Sequence, residues 1–255
     1  MFQGSAYPAS GAALWSLLVA APIIGSFLGV VIRRLPAGRP LLWSRSSCEK
    51  CGHPLAARDL VPLFGWLLAK GRCRYCGERL GWFYPAVELA ALAIAVLALA
   101  VDGGGRAWLD SLFGWWLLAL GWIDLRRWIL PDVLTLPLIL SGLLEAALFN
   151  ARALPWRALG AALGYLSLIA IAFLYRRLRG REGLGEGDAK LLAASGAWVG
   201  AAALPSVVFV AALGALLSAF LFIRKRPLEA ETPLPFGAFL ALATWLVWLF
   251  GPLAF

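Results

Sequence analysis

The chain has 255 residues, 62% of them hydrophobic and 15% charged, against about 45–50% apolar and about 25% charged in an ordinary soluble domain. A mean hydropathy of +0.81 over the whole length excludes a water-soluble enzyme and is too high to come from one anchor. A net charge of +9 would suit nucleic acid in a soluble protein, but in a membrane protein Lys and Arg mark the cytoplasmic side, so the positions of the basic residues decide.

The first apolar run covers about Ala12 to Ile32. The residues before it hold no Lys or Arg, whereas Arg33 and Arg34 follow it. The segment therefore lacks the basic n-region of a secretory leader, and residues 1–32 are expected to form a retained first span with its N-terminus outside. Residues 33–82 are the one long polar stretch, with ten basic residues, all four cysteines and the single histidine. They read as a small cytoplasmic domain. Residues 83–255 then read as a seven-span membrane catalytic domain, with apolar runs at about Phe83–Val101, Ala107–Ile123, Leu130–Leu148, Leu154–Tyr175, Lys190–Leu204, Ser206–Ile223 and Leu234–Phe250.

Alternating the connectors between the two sides puts 20 of the 23 basic residues on one of them, leaving only Arg106, Arg152 and Arg157 on the other. That asymmetry identifies the cytoplasmic face and removes nucleic acid as a partner. Parity also settles the short, Ala- and Gly-rich run after Lys190. The basic clusters at Arg176 and Arg224 share a side, so the chain between them must cross and return or dip in as a hairpin. The expected fold is an all-α polytopic membrane protein with about eight transmembrane helices and both termini outside. A small cytoplasmic zinc-binding loop domain lies between the first and second helices.

Cys48 and Cys51 form CEKCG, Cys73 and Cys76 form CRYCG, and 21 residues separate the pairs. Both repeat the pattern CxxCGxxL, with a glycine where each knuckle must turn. Four thiolates from two such knuckles suit a closed, tetrahedral, structural zinc site. A reducing cytoplasm disfavours disulfides, and two copies without a βαβ pattern disfavour a redox CxxC. An iron–sulfur centre is less common at this spacing. His53 sits two residues after Cys51 and is expected to be an exposed loop residue rather than a ligand.

Carboxylates at membrane depth are costly and usually functional. Asp110 and Glu145 fall near outer span ends, where water would reach them, and are expected to be interfacial. Asp124, in GWIDLRRWILPD, and Asp188, in GLGEGDAK, both fall at the cytoplasmic face at similar depth. Two neighbouring carboxylates can share one proton, so that one activates water while the other polarises a peptide carbonyl. Gly185 and Gly187 would let backbone approach Asp188 closely. Pairing of Asp124 with Arg126 or Arg127, and N-capping by Asp188, are the structural alternatives. The parts of zinc-metalloprotease and Ser-His chemistry are missing from the sequence.

These blocks together resemble the type IV prepilin peptidases, the bifunctional leader peptidase and N-methyltransferase family of GxGD-type membrane aspartyl proteases. The resemblance runs through GSFLGVVIRRLP at Gly25, the paired knuckles, YPAVEL at Tyr84, IDLRRWILPDVLTLPL at Ile123, GEGDAKLLAASGAWVG at Gly185 and PFGAFLA at Pro235. It implies that Asp124 and Asp188 are the catalytic pair and that the cysteines belong to a cytoplasmic metal-binding domain, with supporting roles for Glu88 and Lys190. It further implies cleavage after a Gly in the basic leader of prepilins or pseudopilins in the bacterial inner membrane, amid its lipids. Methylation of the new N-terminus from S-adenosylmethionine would follow. Gly29 departs from the family, which commonly has Asn there, and no Rossmann-type glycine motif for S-adenosylmethionine is visible.

A basic loop does not attract a basic leader, so recognition is expected to use the helical part of the substrate and local carboxylates such as Asp132 or Glu186. The competing classes are a protease without methyl transfer, an ion-coupled transporter, and a non-enzymatic secretion-assembly component. Carriers place proton sites near the bilayer midplane, unlike these two aspartates, and a scaffold would leave both aspartate blocks idle.

Overall fold

The computed structural model describes residues 11–41, 45–48, 50–180, 185–223 and 235–253. Residues 1–10, Arg181 and the basic cluster Arg224, Lys225 and Arg226, used above to assign sides, lie outside them. The described residues form α1 (Gly11–Arg34), α2 (Phe64–Leu68), α3 (Phe83–Val101), α4 (Gly104–Arg127), α5 (Asp132–Phe149), α6 (Leu154–Arg179), α7 (Glu186–Val199), α8 (Leu204–Ile223) and α9 (Phe236–Phe250). Every helix except α2, a short turn in the polar stretch, answers one of the apolar runs.

Among the described residues, five segments are long and apolar enough to cross a membrane: Leu14–Ala37, Phe83–Val101, Asp132–Phe149, Ala151–Arg179 and Ala201–Leu221. In α4, four tryptophans and two aspartates dilute the hydropathy, and α9 has only 15 residues.

The sixth run is placed differently from its expected Lys190–Leu204 bounds. Its helix, α7, starts at Glu186 and stops at Gly200, whose φ of +84° needs a residue without Cβ, before a 3₁₀ turn leads into α8. Its 14 residues rise about 21 Å, less than the roughly 30 Å of hydrocarbon a span must cross.

The described residues divide into two compact units, Met1–Ala119 and Leu120–Phe255, with the boundary inside α4. In the first unit α1 packs along α3. Gly25 allows this, since a Cβ there would lie 2.7 Å from the Glu88 Cα. At Gly29 the Tyr84 ring fills the space a side chain would need, 2.7 Å from the ideal Cβ, which explains why glycine suits this chain at the position where it departs from the family. Trp115 donates its indole N–H to the Ala91 carbonyl at 2.8 Å.

In the second unit α7 is central, packed by α5, α6 and α9 and buried without a break from Leu191 to Trp198. Small residues allow it: α6 and α7 meet backbone to backbone at Gly160 and Gly196, and a Cβ on Gly164 would lie 2.5 Å from the Leu192 carbonyl oxygen. The segment is weakly apolar because its neighbours, not lipid, surround it.

Two acidic residues are not the water-reached interfacial groups the sequence suggests. Asp110 is fully buried beside Arg106 of the same helix, at 3.4 Å. Glu145 is buried in an ion pair with Arg157. Arg157 also donates to the Gly142 carbonyl at 3.4 Å, and its guanidinium lies 5.4 Å from the Trp248 ring centroid. Removing one partner of such a pair strands the other charge, so Arg157→Leu is expected to cost about 3–5 kcal/mol, while Arg157→Leu with Glu145→Leu recovers most of it. Unfolding in mixed detergent micelles measures both; equal losses in the single and double variants would contradict the pairing.

Candidate functional site

In the second unit Asp124 lies near the C-terminal end of α4, 6% exposed. Its Oδ2 accepts the Ala238 backbone N–H at 2.9 Å, with the Gly237 N–H beside it. Its carboxylate is thus held by the first turn of α9. A Cβ on Gly237 would stand 2.9 Å from that same Oδ2 and 2.9 Å from Leu130 Cδ1, so only glycine leaves α9 close enough.

Asp188 occupies the first turn of α7. Gly185 is the N-cap, in ordinary extended backbone at φ −76°; Asp188 itself is part of the helix. Its Oδ2 would lie 3.9 Å from a Cβ on Gly185, and its carboxyl is near enough to Asp124 to feel that residue's charge. Gly187 is the point of close approach: a Cβ there would be 3.0 Å from Leu130 Cβ. Leu130, 9% exposed, therefore touches the glycine beside each aspartate.

The connector between α4 and α5 delivers Leu130. Trp128 adopts a left-handed φ of +59° and donates its N–H to the Asp124 carbonyl at 2.9 Å. The helix thus ends in a tight reversal, at a torsion that costs energy in any residue with a Cβ.

Lys190 ties the starts of two helices together. Its Nζ donates to both Asp132 oxygens, at 2.9 and 3.1 Å, and lies 3.0 Å from Glu186 Oε1. Lys190 is thus held between α5 and α7 rather than extended alone towards solvent. Asp132 and Glu186 remain more than half exposed.

In the first unit the four cysteine Sγ atoms lie within 4.8 Å of one another. The knuckles match bond for bond. Gly52 and Gly77, at φ +70° and +72°, donate to the Cys48 and Cys73 carbonyls, both at 2.9 Å, and the Cys48 and Cys73 N–H groups donate to His53 and Glu78. The N–H groups of Cys51 and Lys50 help hold the Cys48 thiol down to about 7. Cys76 is pushed up to about 12: the Glu78 N–H lowers it, and burial and the other three thiols outweigh that. Such a set of soft donors could hold a metal ion. His53 is not in the set; its ring stacks on Tyr75 of the other knuckle, centroids 3.6 Å apart.

Glu88 is buried in α3 and accepts the Leu63 N–H at 2.7 Å, from a residue in the strained region at φ +61°. It anchors the polar loop to the helices.

Sequence reasoning missed Leu130 and the Gly237 and Ala238 N–H groups. PFGAFLA was visible as a block, but no residue type announces a backbone donor.

The sequence model of the Bacterial Peptidase A24 N-terminal domain matches residues 19–101, and that of the Type IV leader peptidase family matches residues 111–222. A relative from Aeromonas salmonicida (strain A449), named prepilin leader peptidase/N-methyltransferase, is 39% identical over 255 residues, covering 90% of this chain and 88% of its own. The chain belongs to the type IV leader peptidase family. Relatives with the same name from Dickeya chrysanthemi and Pseudomonas aeruginosa are 41% and 35% identical, covering 90% of this chain and 90% and 87% of their own. No solved structure matches the chain. Asp124 and Asp188 lie in the leader peptidase segment and the cysteines in the N-terminal one; α9 lies beyond both matched segments.

If Glu88 anchors the loop in this leader peptidase, Glu88→Ala exposes residues 45–80 to limited proteolysis about tenfold faster, equivalent to about 1.4 kcal/mol, within the usual cost of a hydrogen bond to a charged group. Glu88→Gln, which keeps an acceptor, is expected to stay within about threefold of wild type. Equal protection in Glu88→Ala would remove the anchoring role.

Proposed function

We propose that this chain is a bifunctional prepilin or pseudopilin leader peptidase and N-methyltransferase of the bacterial inner membrane. Its catalytic groups are Asp124 and Asp188, at the cytoplasmic edge of the membrane domain over residues 83–255. The observation that carries the reading is the convergence of these two carboxylates around Leu130, each against a glycine that leaves room for backbone.

One carboxylate, ionised, takes a proton from water as its oxygen attacks the scissile carbonyl carbon; the other, protonated, donates to the carbonyl oxygen. The tetrahedral intermediate collapses as the C–N bond breaks and a proton passes to the leaving amine. The substrate is a membrane-inserted helix with a short basic leader, cut after a Gly. Its scissile bond lies at the membrane edge, the depth assigned to the dyad. Asp132 and Glu186, partly neutralised by Lys190, meet the leader's basic residues.

S-adenosylmethionine is the methyl donor we propose for the new amine. Among the described residues no β-strand is present, so they build no Rossmann cradle.

The metal we propose is zinc. Bonds of about 2.3 Å in a tetrahedron put sulfurs about 3.8 Å apart, and Cys48 and Cys76 have their Sγ atoms at 3.9 Å. The residues fit: all four cysteines of the 33–82 domain would hold the ion, which closes the loop as structure and leaves no position for substrate.

Mass spectrometry of a full-length prepilin after incubation with the purified enzyme tests both activities. Asp124→Asn and Asp188→Asn are each expected to lower cleavage by about 10²–10⁴-fold, and the mature N-terminus gains a methyl group only with S-adenosylmethionine. Wild-type cleavage by either variant would end the dyad reading. In the same assay, reversing Asp132 and Glu186 to Lys should abolish the preference for basic leaders; a preserved preference would remove them from recognition. Elemental analysis should find about one zinc per chain, lost in Cys73→Ser/Cys76→Ser; metal retained by that variant would place it elsewhere.

A further inference from the structure

The two-aspartate mechanism leaves open which carboxylate is ionised, and it gives no task to PFGAFLA. The packing of α9 answers both. This helix contains no ionisable side chain, and neither does α8. Among the described residues, the charged groups on the elements around its start are Asp188, Glu186 and Lys190 of α7, Asp132 of α5, and Arg126 and Arg127 on the helix of Asp124 itself, while the Arg157–Glu145 pair meets its far end at Trp248.

What α9 brings to Asp124 is its N-terminal end, where the first N–H groups have no partner within the helix and the helix dipole is positive. Two of these groups converge on one carboxylate: Ala238 N–H on Oδ2 at 2.9 Å and Gly237 N–H beside it. Among the described residues, the backbone donor at Asp188 is the N–H of Gly185, from its own helix start.

The arrangement is fixed at both ends. At the start of α9 no Cβ fits at Gly237, where it would meet Asp124 and Leu130 at 2.9 Å each. Further along, Thr244 Oγ1 and Ser195 Oγ are 2.6 Å apart, both buried, linking α9 to the helix that carries Asp188. Gly121 of α4 also meets α9, with the Ala238 Cα and Ala241 Cβ 3.5 Å from an ideal Cβ.

We infer that α9 is a positioning element of the reaction: the Gly237 and Ala238 N–H groups hold Asp124 as the ionised carboxylate that takes the proton from water, leaving Asp188 to carry the shared proton and give it to the scissile carbonyl. This rests on the dyad reading above. The protons balance. Asp124 gains one from water as the new C–O bond forms, and Asp188 loses one to the carbonyl oxygen. As the C–N bond breaks, Asp124 passes its proton to the leaving amine, and Asp188 regains one from the hydroxyl that becomes the new carboxylic acid. Gly237 is a positioning residue here, not a catalytic one.

The test is the pH profile of kcat/KM for leader cleavage by the full-length enzyme on a membrane-inserted prepilin. Ala238→Pro deletes one N–H at a first-turn position, where proline is tolerated. Lactic acid incorporated at 238, which turns that amide into an ester, deletes the same N–H without adding a ring. In a coupled pair the first proton lost belongs to the better-stabilised carboxylate, and it sets the acidic limb. Both variants are therefore expected to move the acidic limb up by about one pH unit, a tenfold change in the ionisation constant, and to leave the basic limb in place.

A shift of the basic limb instead would make Asp188 the base and overturn the assignment. A profile shifted in neither limb, whether rates are normal or uniformly lowered, would reduce α9 to packing. The Asp124→Asn enzyme separates the two levels. If it is inactive and the 238 variants are unshifted, only the role of α9 fails; if it cleaves like wild type, the dyad reading fails and takes this assignment with it.

Discussion

At Gly160 and Gly196 the backbones of α6 and α7 touch with no side chain between them, and a chain of close approaches follows from that contact. Because α6 can come so near, α5 and α9 can also pack on α7, and a helix of only 14 residues becomes the axis of its unit. In lipid there is little hydrophobic drive to bring helices together, so dispersion and small residues must do it. The first turn of α7 then carries Asp188 on a helix held from several sides, giving the proposed reacting group the rigid support it needs.

The second rule, among the described residues of this second unit, is that buried side-chain polar atoms find hydrogen-bond partners within the protein. Ser195 and Thr244 share their two hydroxyl protons between each other and the carbonyls one turn back. Trp198 donates to the Leu138 carbonyl at 2.9 Å, Glu145 is neutralised by Arg157, and Asp124 takes its donors from α9. An unpaired polar group in such surroundings would cost several kcal/mol, so each contact also fixes the register of one helix against another. The same pairing that makes the fold affordable therefore sets the geometry of the acidic pair.

The sequence was most legible where chemistry depends on residue type. The knuckle spacing announced the cysteine cluster, and Asp124 and Asp188 stood out as carboxylates in apolar surroundings. The edges of most helices matched the edges of the apolar runs. It was least legible where neighbours decide. The run after Lys190 looked weak because its apolarity is supplied by the helices around it, and its end moved from Leu204 to Val199 because Gly200 turns the chain. Glu145 looked interfacial because nothing in its local sequence reveals that Arg157 is beside it; for Asp110 the i,i+4 partner Arg106 was visible, but its burial was not. The N–H groups of Gly237 and Ala238 could not be read at all, since every residue but proline has one.

Leu130 comes from a four-residue connector, not from a helix, yet it rests against the glycines beside both aspartates. It acts as a spacer gauge between the acidic groups. In the proposed reaction, the gap that would take a water and a peptide bond is thereby bounded by the bulk of one apolar side chain. Adjusting that bulk changes the clearance while the helices and their polar contacts stay as they are, so the aperture of this fold can be tuned from a loop.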